Sequence, residues 1–78
     1  MKFTKSKNDD QLFFVSHNDK KRAVYGTEKH LVEIGLLEPV DNVWGDGWVG
    51  VWFDNQTVTP VFESKQAIRD YFGTFYFA

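Results

Sequence analysis

The sequence predicts an α+β fold, a small and mainly antiparallel sheet of hairpins with two short helices, in the order β-β-β-α-β-β-α(-β). Three observations predict it. Two pairs of β-type runs each flank a short turn of Asn, Asp or Gln; two apolar stripes at helical spacing each follow a hydroxyl residue able to cap a helix; and aromatics make up 18% of a chain with no cysteine. Seventy-eight residues leave no room for a second hydrophobic core, so residues 1–78 read as a single domain.

The elements follow in chain order. Residues 2–6 suit a short polar strand, and Asn8-Asp9-Asp10 a turn. Gln11 to His17 and Arg22 to Gly26 are β-type runs. Between them Asn18 and Asp19 tolerate positive φ, and a two-residue turn there sets Phe14 opposite Ala23 and Leu12 opposite Tyr25. Thr27 can cap a helix with Glu28 in its first turn. Leu31, Ile34 and Leu37 form its stripe and Val32 lies beside them. Gly35 weakens the last turn, and Glu38-Pro39 ends the helix.

Residues 48–53 and 57–62 read as a hairpin around Asp54-Asn55-Gln56. A turn at Asn55-Gln56 pairs Phe53 with Val58, Val51 with Pro60 and Val49 with Phe62. That face is expected to be core, with Ile68 and Phe72 nearby. Pro60, lacking an N–H, points to an edge position. Ser64 caps a second helix over 65–72, with Gly73 at its end, and residues 74–77 return as a last strand.

Several chemistries are excluded by what the chain lacks. Without cysteine there is no thiolate metal site, disulfide or thiol nucleophile. No serine sits in a Gly-x-Ser-x-Gly elbow, and Gly45-Asp46-Gly47 is too short for a dinucleotide fingerprint. His30 and Glu33 have a spacing used in carboxylate-bridged metal sites, but no second such pair exists, and His17 sits beside a turn. The expectation is therefore no catalytic residue, no metal and no cofactor. No apolar run approaches a signal peptide or a membrane span, so the expected protein is soluble, cytoplasmic and without a membrane partner.

Charge is unevenly divided. Residues 1–30 hold seven basic and four acidic side chains, whereas residues 31–78 hold two basic and seven acidic. Two candidate surfaces follow. One is an aromatic strip on the strand at 48–52, comprising Trp44, Trp48 and Trp52 with Thr57 and Thr59 alongside and Asp46 and Asp54 at the rim. Tryptophan is enriched at protein-binding hot spots, and the two carboxylates favour a partner carrying Lys or Arg. The other is a basic patch at Lys20, Lys21 and Arg22, with Lys5, Lys7 and Lys29 nearby, which suits nucleic acid.

The isoelectric point of about 5.5 lies well below that of a typical nucleic-acid domain. The expected function is therefore a non-enzymatic protein-binding module, with nucleic-acid binding as the alternative. Small cysteine-free accessory or inhibitor proteins of phages and mobile elements, which occupy a surface of a larger host protein, resemble this chain in size and texture. The expected assembly is a monomer or a weak homodimer, formed by the aromatic strip or by edge pairing of the strands at 2–6 and 75–77.

Overall fold

A computed structural model describes residues 2–17, 21–38, 46–53 and 57–77. Strands β1 (Lys2–Lys5), β2 (Phe13–His17), β3 (Lys21–Thr27) and β4 (Trp48–Trp52) form one antiparallel sheet in the order β1-β2-β3-β4. Helix α1 (Glu28–Glu33) joins β3 to β4, and helix α2 (Lys65–Phe77) follows β4. The α+β class is the one the sequence predicts, and the order β-β-β-α-β-α matches the predicted one except that residues 57–62 form no full strand and the final strand is absent among the described residues.

Directly opposed residues in an antiparallel ladder share a face. One face therefore carries a row of Phe3, Val15, Ala23 and Trp52, and a second row of Lys5, Phe13, Tyr25 and Gly50. The other face carries Thr4, Phe14, Val24 and Val51, then Gly26 and Val49. Both are packed. Ile68 and Phe72 of α2 join Val15, Ala23 and Tyr25 on the first face, with Trp48, Trp52 and Phe62 against them. Leu31 of α1 joins Val24, Val49 and Val51 on the second.

This arrangement corrects the expected placement of α2, which packs on the Trp48-Gly50-Trp52 face and not on the Val49-Val51 face. The reason lies at Gly50. A Cβ there would sit 2.7 Å from Cζ of Phe72, so the missing side chain is the space the phenyl ring occupies. The Trp52 and Phe72 rings meet edge to face with centroids 5.2 Å apart. Burial raises the pKa of Tyr25 above its ordinary range, and the positive charge of Arg69 acts against that rise.

Register corrects the first hairpin as well. Phe14 lies opposite Val24 and Val15 opposite Ala23, because His17 pairs with Lys21 across three residues rather than two. In the second hairpin, residues 57–62 make only isolated bridges to β4, Val51 with Val58 and Trp48 with Phe62. Between Thr59, whose N–H donates to the Gly50 carbonyl, and Phe62 there is one residue more than between Gly50 and Trp48. Pro60-Val61 thus holds a bulge-like excess, and the expected pairs of Phe53, Val51 and Val49 do not form. Phe53 is 49% exposed and Val58 45% exposed, against the expectation that both are core.

The two helices differ from expectation in opposite senses. Thr27 caps α1 by accepting from the His30 N–H. The helix stops at Glu33, short of Glu38, because Gly35 adopts φ 84° and the N–H groups of Gly35 and Leu36 bond back to the carbonyls of Val32 and Leu31. Helix α2 is capped by the Ser64 hydroxyl, which accepts from the Ala67 N–H, and runs through Gly73 to Phe77. Apolar residues at 68, 71, 72, 75 and 76 keep the helical period, which outweighs the roughly 1 kcal/mol a mid-helix glycine costs. The expected strand over 74–77 is therefore helix and offers no edge for pairing.

These placements separate two phenylalanines. Replacing Phe72, fully buried under α2, by Ala is expected to lower the unfolding free energy by about 3–5 kcal/mol in chemical denaturation. Phe53→Ala is expected to cost less than about 1 kcal/mol. Equal losses would contradict the assignment of faces.

Candidate interaction groove

Helix α1 has six residues and spans only about 9 Å, whereas the thirteen residues of α2 span about 20 Å. The second face of the sheet is therefore only partly covered. What remains is a groove of about 880 Å³ floored by Val24, Val49 and Val51. Val32, Leu36 and Leu37, from α1 and the turn after it, form one wall. Phe53, Val58 and Val61 form the other. The ionisable residues lining it among those described are Glu28 and Glu38, both acidic.

The second wall is held by the edge of β4. The N–H of Trp52 donates to the Thr57 carbonyl at 2.9 Å, and Trp48 and Phe62 exchange two N–H···O bonds at 2.7 Å. Thr59, 5% exposed, adds its hydroxyl, which accepts from the Gly50 N–H and donates to the Pro60 carbonyl, each at 2.9 Å. Gly50 has its N–H and C=O both bonded to Thr59, and the position of the wall follows from that pair.

The predicted aromatic strip does not stand free on the sheet. Trp48 and Trp52 are half-buried against the α2 core, where Trp48 packs beside Phe13 and Tyr25. Thr59 is a buried linker rather than a surface neighbour of the indoles, while Thr57 and Asp46 are exposed. Trp44 and Asp54 lie outside the described residues. Of the predicted set, Trp52 and Thr59 contribute to the groove.

Basic residues divide between the faces. Arg22 is exposed and aligns with Ser16 and Lys2 on the α1 side, whereas Lys5 is on the α2 side. Lys7 lies in the turn after β1, and Lys29 is exposed on α1. Lys20 and the side chain of Lys21 lie outside the described residues.

Leu36, Phe53, Val58 and Val61 were not among the predicted site residues. Two sequence signals bear on three of them. Leu36-Leu37 follows a glycine that ends a helix, and Val58 and Val61 lie on either side of Thr59-Pro60, where the proline cannot carry a full ladder.

His30, considered as a metal ligand, instead donates from Nε2 to Oδ2 of Asp9 at 2.5 Å, tying the β1–β2 turn to α1. Among the described residues no three His, Cys, Asp or Glu side chains gather where they could share a metal ion. No helix among them is long and apolar enough to cross a membrane. No family model matches the chain, and comparison with curated proteins and with solved structures gives no match.

The Asp9–His30 contact makes stability depend on pH. The His30 hydrogen bond, and secondarily the Gln11 N–H, hold the Asp9 carboxyl below its ordinary pKa. A depressed carboxyl stabilises the fold fully above its unfolded value, about 3.9, and loses that contribution as pH falls through the folded value. Melting temperature is thus expected to drop in acid, and Asp9→Asn to flatten that part of the profile. An unchanged acid limb in Asp9→Asn would show that the contact does not contribute.

Proposed function

We propose that this chain is a non-enzymatic protein-binding module that docks on a larger protein through the apolar groove. The observation that carries the reading is the grouping of exposed apolar side chains. Five large hydrophobic residues are exposed among those described, and four of them, Leu36, Phe53, Val58 and Val61, line this one groove. Scattered exposed hydrophobics are ordinary, but a contiguous set around a concavity marks an interaction site.

The occupant is an apolar segment flanked by Lys or Arg. Its apolar centre meets the valine floor, and its cations meet Glu28 and Glu38 at the lining. By filling such a groove with its own surface, a larger protein would be held or blocked without any chemistry at the contact, which suits an accessory or inhibitory role. Nucleic-acid binding has weaker support, because the described cations are split between the two faces of the sheet and the groove's charges are negative.

A photo-crosslinking residue at position 61 is the direct test, followed by binding measurements with the purified cross-linked partner. Val61→Asp, at a position 56% exposed, is expected to weaken binding by about thirtyfold or more while leaving the melting temperature unchanged. Full-strength binding by Val61→Asp, or cross-links only to nucleic acid, would refute the groove as the docking site.

A further inference from the structure

The two edges of the sheet are unlike. The outer edge of β4 is closed by residues 57–62, whereas nothing among the described residues pairs with the outer edge of β1. The N–H of Ser6 donates to the Leu12 carbonyl, so the alternation of an antiparallel ladder turns the backbone groups of Thr4 toward β2. Those of Phe3 and Lys5 then point outward, as an unpaired strand template.

Charge collects beside this edge on the α2 side. Lys5 shares that face with Phe3 and Phe13. The Nζ of Lys65 lies 4.6 Å from the Phe13 ring centroid, and the Arg69 guanidinium lies 4.5 Å from that of Phe3. Lys65 and Arg69 therefore each cap one of two phenyl groups, Lys5 lies on the same face opposite Phe13, and none of the three makes an ion pair with a described residue. The Arg69 Nε is buried without a hydrogen-bond partner, and among the described residues the guanidinium stacks on the Phe3 ring and makes no ion pair with a carboxylate.

We infer that the β1 edge accepts an extended acidic segment of another protein as a fifth strand, with its acidic side chains on the α2 face. Backbone pairing at Phe3 and Lys5 supplies the attachment, and Lys5, Lys65 and Arg69 select the partner's charge. The same cations select against a second copy of this chain. Two β1 edges related by a two-fold axis normal to the sheet bring both sets of three cations onto one face, where like charges repel.

The probe is a labelled decapeptide alternating Glu with Val, followed by fluorescence anisotropy and by amide resonances of the full chain. It is expected to shift the Phe3 and Lys5 amides and to bind at least about tenfold more tightly than the same peptide N-methylated at every backbone nitrogen, which cannot donate to the edge in either strand orientation. Lys5→Glu and Lys65→Glu are each expected to weaken binding by about tenfold or more, and Val61→Asp to leave it unchanged, since the groove lies on the other face. Equal binding of the N-methylated peptide, tighter binding of a ten-nucleotide thymidine strand, or no binding at millimolar peptide would overturn the inference.

Discussion

Phe72 reaches the sheet only because position 50 carries no side chain, and the arrangement of both layers follows from that contact. With the ring seated over Gly50, α2 lies along the Trp48–Trp52 face, and the indoles become the flanks of a core rather than a surface. The same glycine presents its N–H and C=O to Thr59, so the segment that closes the β4 edge is fixed at the residue where the helix docks. A side chain at this position would push against Phe72 on one side and approach Thr59 Cγ2 at 3.3 Å on the other.

Covering one face with a long helix leaves the opposite face to a short one. Helix α1 cannot extend, because Gly35 enters the left-handed region and the backbone turns back on the helix end. The valine floor it fails to cover is bounded by apolar walls, and an apolar surface of that kind is stabilised by an apolar partner. The edges repeat this asymmetry, since residues 57–62 close β4 while β1 keeps outward backbone groups beside three cations. Groove and edge are therefore separate surfaces of opposite character, one apolar with acidic lining and one basic.

Most of the element order was legible in the sequence. The caps at Thr27 and Ser64 were visible because a hydroxyl before an apolar helical stripe has a local physical meaning, and both hydroxyls accept the expected backbone N–H groups. Faces and registers were not legible, for a reason visible in the residues. Phe13-Phe14-Val15, Ala23-Val24-Tyr25 and Trp48 to Phe53 are nearly continuous apolar runs, the signature of a sheet packed on both faces. Alternation then cannot say which face a helix covers, and a slip of one residue leaves the pattern looking the same. Gly73 misled in the other direction, because a glycine after an apolar stripe resembles a helix stop until the period is followed to residue 76. The groove residues were hidden by the same ambiguity: Phe53 and Val58 belong to an apolar strand pattern, and only the shifted pairing of 57–62 exposes them.

The dependence of the fold on the Gly50–Phe72 contact is tested most directly by a double-mutant cycle in chemical denaturation, with Gly50→Ala, Phe72→Leu and the pair. Leu in place of Phe removes the ring atom that a Cβ at position 50 would meet. The account predicts that Gly50→Ala costs about 1–3 kcal/mol alone and markedly less beside Phe72→Leu, a coupling of roughly 1 kcal/mol or more. Additive losses, within about 0.5 kcal/mol, would mean that the two residues do not meet and that α2 does not pack on the tryptophan face.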